Sequence, residues 1–145
     1  MPERETVERA REDAREGKSP STQAGEFVRE EVHHIREGKH GAASTKQAIA
    51  IGLSKARRAG VKLPAKGSAS TQKKAEQDTR ASQSRRKPSR TRSRATSNAL
   101  KREPRSAASR SSLSRQAKSS AVSRGKRARS VAAKKAAQTR TRRAA

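Results

Sequence analysis

SPSTQAGEFVREEVHHIREG, residues 19–38, decides the fold of this chain. Ser19, Ser21 and Thr22 supply hydroxyls that cap a helix, and Pro20 suits a first helical turn. Phe27, Val28, Val32 and Ile35 then recur on one face of a 3.6-residue period. Glu26, Glu30, Glu31 and Glu37 occupy most of the remaining surface. Gly38 and Gly41 end the helix and make a turn through Lys39 and His40.

A second helix opens at Ser44-Thr45-Lys46-Gln47, a capping box in which the Ser44 hydroxyl accepts from the Gln47 amide while the Gln47 side chain reaches back. Ala48, Ile49, Gly52, Leu53 and Ala56 form its inward stripe, broadened by Ile51. Lys55, Arg57 and Arg58 crowd the last turn, where cations favour the negative end of the helix dipole. Gly60 ends it, and Val61, Leu63 and Pro64 follow as a short apolar clasp. Upstream, residues 4–16 contain no Gly or Pro and carry a thin stripe of Val7, Ala10 and Ala14, closed by Gly17. The expectation is all-α: an antiparallel helical hairpin over residues 19–60, with the first helix leaning on it. Its apolar content is small, so the face of Phe27, Val28, Val32, Ile35, Ile49 and Leu53 is expected to be covered by homo-oligomerisation or by another protein.

Charge divides the chain. Residues 1–63 carry 13 Lys or Arg and 10 acids, whereas residues 64–145 carry 25 Lys or Arg against Glu76, Asp78 and Glu103. Leu100, Leu113, Val122 and Val131 are the only large apolar side chains in that second segment. So little apolar surface does not offset the entropy of ordering a backbone. The expectation is therefore a head, residues 1–63, followed by a long disordered basic tail, residues 64–145. Stretches such as residues 131–138 have good helix propensity, which mutual repulsion opposes until phosphates relieve it.

Composition excludes several classes of function. The sequence has no Cys, hence no disulfide, thiolate zinc site or redox role. No apolar run approaches a membrane span, and the charged N-terminus has no signal-peptide core behind it. A soluble cytoplasmic protein is expected. The carboxylates lie among Arg and Lys on helix faces, the serines in polar sequence where nothing fixes a base beside a nucleophile, and Gly38 and Gly41 lack the strand that a phosphate loop follows. Neither enzyme activity nor a cofactor is expected.

His33, His34 and His40 are the only imidazoles. Glu30 with His34, and His33 with Glu37, have the i, i+4 spacing that can hold a metal, but adjacent His33 and His34 diverge by about 100° around the helix. They read as a solvated face, and no metal site is expected. The two helices also invite a helix-turn-helix reading. The connection over residues 38–43 is long for that motif, and Lys46 and Gln47 are the only long polar side chains near the start of the second helix.

What remains is a polycation. The candidate phosphate contacts are Lys55, Arg57 and Arg58 in the head. In the tail they are Lys73, Lys74, Arg85, Arg86, Lys87, Arg90, Arg92, Arg94, Arg124, Lys126, Arg127, Arg129, Lys134, Lys135, Arg140, Arg142 and Arg143. Nucleic acid is the polyanion expected to meet them, bound by counterion release rather than base reading. The tail has no aromatic on which to stack single-stranded bases, which favours duplex DNA over RNA. The expected function is non-specific, histone-like DNA binding in the nucleoid. The alternatives are an RNA- or ribosome-associated basic protein and a disordered hydrophilic stress protein.

The run from Lys18 to Val61, with GEFVREE, HHIREGKHGA and STKQAIAIGLSKARRAG within it, resembles a bacterial family of small basic proteins catalogued only as a domain of unknown function. The resemblance is dense over residues 1–63. It implies a bacterial cytoplasmic protein and carries no activity, ligand or catalytic residue with it. The tail resembles linker-histone tails in composition alone.

Overall fold

The computed structural model describes residues 2–84 and 89–144. Three helices occupy the first part of the chain: α1 (Arg4–Arg15), α2 (Pro20–Arg36) and α3 (Thr45–Arg58). The Ser19 hydroxyl accepts from the Thr22 amide, and the Ser44 hydroxyl accepts from the Gln47 amide at 3.1 Å. Gln47 Oε1 accepts from the Ala43 amide at 2.6 Å, so its side chain reaches back one residue beyond the cap. α2 and α3 form the hairpin, and α1 packs on α2. Gly52 is where the two hairpin helices meet most closely: a Cβ there would stand 2.7 Å from the Val28 Cα.

The core is in two parts. Ala10, Ala24, Phe27, Ala56 and Val61 form one, flanked by Val7, Leu53 and Leu63. Ile35, Ala42, Ala48, Ala107 and Ala108 form the other, flanked by Val32. Phe27 and Ile35 are thus fully buried inside a single chain, while Val28, Val32, Ile49 and Leu53 are half-buried. On α1 the inward face is Thr6, Ala10 and Asp13; Ala14, expected to be part of the stripe, is exposed.

The expectation of a long disordered tail is overturned. Beyond residue 63 the chain forms α4 (Ala69–Gln83), α5 (Arg90–Arg102), a 3-10 turn (Arg105–Ala108) and α6 (Arg110–Ala144). Alanines and polar contacts, rather than large aliphatics, attach the first part of this segment to the head. α4 docks on α3 through Ala75 and through Asp78, which accepts from the Ser54 hydroxyl at 2.7 Å and from Arg58 Nε at 2.9 Å. The 3-10 turn completes the second core with Ala107 and Ala108, whose carbonyls accept from the Thr45 hydroxyl at 2.7 Å and Arg36 Nε at 2.9 Å. Gly41 makes room for this: a Cβ there would overlap the Glu103 carbonyl, and the Gly41 and Ala42 amides donate to the Leu100 and Pro104 carbonyls at 2.8 and 3.1 Å. Small side chains permit close approach, and polar groups supply the specific contacts.

The first compact unit extends through Ser109, and α6 constitutes the second. α6 exposes most of its surface, including Val122 and Val131. Its order is local in origin: Ala, Arg, Lys and Gln are strong helix formers, and the segment contains no Pro and one Gly. That residue, Gly125, has φ 76° and ψ 165° and divides α6 into two helical stretches. Among the described residues no helix is long and apolar enough to cross a membrane.

Candidate nucleic-acid interface

The three cations that close α3 have different surroundings. Lys55 Nζ lies 3.1 Å from Glu30 Oε1 and 2.7 Å from Glu31 Oε2, both carboxylates being buried. Burial favours the neutral amine, but hydrogen bonds and charge from Glu31 and Glu30 outweigh it and hold the Lys55 pKa above the ordinary lysine value. Arg58 holds Asp78 at 2.9 Å. Arg57 is half-buried, with Nε shielded from solvent and without a hydrogen-bond partner. Lys55 and Arg58 therefore join helices together. The acids that engage them were legible as residues, but nothing in the spacing of Asp78 tied it to α3.

The start of α3 is also occupied. Thr45 is buried beneath the 3-10 turn, and Gln47 is engaged in the cap. Of the polar residues named there for reading bases, Lys46 alone is exposed.

Elsewhere the cations face water. Lys73 and Lys74 on α4, and Arg90, Arg92 and Arg94 on α5, are exposed. Lys74 and Arg92, together with Arg11, Lys39, Lys55 and Arg58, line an open cavity of about 810 Å³ that also carries the hydroxyl side chains of Ser89, Ser93, Thr96 and Ser97. Glu31, His34 and His40 lie on the same cavity. Arg85, Arg86 and Lys87 lie outside the described residues.

Residues 110–145 hold twelve Lys or Arg and no Asp or Glu. Arg124, Lys126, Arg127, Arg129, Lys134, Lys135, Arg140 and Arg142 are exposed there, and Arg143 belongs to the same helix. At 100° per residue these positions distribute around the helix rather than forming one stripe. Arg124 Nε donates to the Ser120 carbonyl at 3.3 Å. Ser123, Thr139 and Thr141 hydroxyls donate to the carbonyl one turn back, which leaves the outer surface to the cations.

Neither a curated protein nor a solved structure matches this chain. Residues 5–67, which hold α2, α3 and all of α1 but its first residue, match a family described as "Family of unknown function (DUF6496)".

Proposed function

We propose that this protein binds nucleic acid, duplex DNA in preference to RNA, by electrostatic contact with phosphates and largely without regard to sequence. The observation that carries the reading is the acid-free run of twelve cations over residues 110–145, eleven of them described as exposed on helix. A helix rises about 1.5 Å per residue, and duplex DNA carries one phosphate per about 1.7 Å of axis, so such a helix laid along a groove meets many charges at once. Lys73, Lys74, Arg90, Arg92 and Arg94 are further exposed cations, on the first unit. The preference for duplex rests on the sole aromatic, Phe27, being wholly buried and so unable to stack on unpaired bases. In a cell this binding would place the protein on the nucleoid.

Titration of the full chain with duplex DNA at several salt concentrations tests the reading. With about 8 phosphates engaged, log K falls against log salt with a slope near −7. A slope near zero sinks the electrostatic mechanism. Tighter binding to single-stranded or structured RNA than to duplex DNA sinks the choice of partner.

A further inference from the structure

The acidic and imidazole wall of the cavity has no role in phosphate binding. We propose that Glu31, His34 and His40 form a binding site for a divalent transition-metal ion, zinc by preference. One ligand atom from each of the three lies within 4.8 Å of the others. Glu31 and His34 are three residues apart on α2 and therefore share a face. His40 comes from the turn before α3, and its Nε2 stands 3.1 Å from Glu31 Oε1. Two ligands of a tetrahedral zinc, each at about 2.0–2.2 Å, are separated by about 3.3 Å. That pair is already at coordination distance.

The hydrogen bonding of His40 sets which ring nitrogen faces the site. Its Nδ1 is 3.0 Å from the Gly41 carbonyl oxygen. A carbonyl only accepts, so Nδ1 carries the hydrogen, and Nε2 is the ring nitrogen that faces the Glu31 carboxylate. Nε2 is thereby the ring nitrogen placed to ligate, 3.1 Å from Glu31 Oε1. The Glu31 carboxylate is about 1% exposed, and no well-directed hydrogen bond reaches its Oε1. Lys55 approaches Oε2 at 2.7 Å and leaves Oε1 to the imidazole.

The outer partners fit as well. Metal-binding histidines hold their second ring nitrogen on a carbonyl or carboxylate. His40 has the Gly41 carbonyl, and His34 Nε2 has Glu3 Oε1 at 2.9 Å. The rings meet edge to face with centroids 6.1 Å apart. Two imidazoles and one carboxylate without any thiolate suit zinc with a fourth position open to water, and the cavity gives the ion an entry path.

The test uses the full chain, stripped with a chelator and titrated with zinc against a chromophoric competitor. One zinc per chain is expected. Affinity should fall by more than about 100-fold in His40→Ala and in Glu31→Gln, since loss of an outer partner alone typically costs 10–100-fold. His33→Ala, altering an exposed imidazole that pairs with Glu37, should bind as the parent does. Substituted cobalt should give the intense visible bands of a four- or five-coordinate ion, absent in His40→Ala. Helical circular dichroism of His40→Ala checks its fold, and that variant decides the matter if Glu31→Gln does not fold. No zinc bound by the parent, or parent-like affinity in folded His40→Ala, overturns the proposal.

Discussion

The Thr45 hydroxyl donates a 2.7 Å hydrogen bond to the carbonyl of Ala107, sixty-two residues further along the chain. Both residues are buried, so water does not replace the bond once it is broken. Thr45→Val keeps the shape and removes the donor. It should lower the stability of the first unit by about 1–3 kcal/mol in urea unfolding followed by circular dichroism. Unchanged stability would mean that its alanines, Arg36 and the Gly41 and Ala42 amides hold the 3-10 turn without this bond.

Gly52→Ala should destabilise, although Ala is the better helix former by about 1 kcal/mol. Its methyl would meet the Val28 backbone as well as its Cγ2, and the backbone does not rotate away. Forcing the helices apart costs about 1–3 kcal/mol, the larger effect. A raised Tm would show that α2 and α3 leave room for a methyl at this crossing.

Phe27→Ala removes the largest fully buried side chain, with an expected loss of about 3–5 kcal/mol. Thermal unfolding of the full chain should show the first transition move to lower temperature. An unmoved transition would mean that Ala24, Ala56 and Val61 hold the helices without it.

Charge substitutions should separate binding from folding. Replacing Lys134 and Lys135 with Gln should reduce the salt slope of DNA binding by nearly one for each phosphate no longer neutralised, with unchanged stability. Arg58→Gln should do the reverse, weakening the attachment of α4 through Asp78 and leaving the slope in place. Equal slopes for the parent and the Lys134/Lys135 variant would mean that other cations meet the DNA.

Lys18 should make stability fall at alkaline pH. Hydrogen bonds to Asp13 and then Glu16, both at 2.6 Å, raise its pKa above the ordinary 10.5. A raised folded pKa means that the contribution is complete below 10.5 and disappears as pH climbs through the higher folded value. Lys18→Met should flatten that part of the profile, as read from Tm between neutral and strongly alkaline pH. An unchanged alkaline fall would assign it to other groups.

The local grammar of the head was open to reading. Ser19 and Ser44 act as caps, Gly17, Gly38 and Gly60 adopt positive φ at helix ends, and the Phe27-to-Ile35 periodicity faces the core. Each follows from interactions within a few residues, where composition and spacing suffice. A further cap of the same type lies in the basic segment. Ser68 begins Ser-Ala-Ser-Thr-Gln as Ser19 begins Ser-Pro-Ser-Thr-Gln, and both serines bond the hydroxyls two and three residues on. That signal marks α4 in a stretch whose charge alone suggests disorder.

The sequence by itself determined where the first helices start and stop, which of their faces are apolar, and that the cations concentrate toward the C-terminal end. Only the tertiary structure decided which charges remain free for a partner. Lys55 and Arg58 look like any other basic residues at a helix end until Glu30, Glu31 and Asp78 are brought within 3.1 Å of them. Spacing along the chain pairs His34 with Glu30, but the fold sets His34 beside Glu31 and His40, with Glu30 Oε1 at 4.0 Å. The physical reason is range. Capping and periodicity act over one or two helical turns, whereas desolvation and ion pairing depend on which distant segments share a volume. Here that was decided by alanines and glycines small enough to let those segments close.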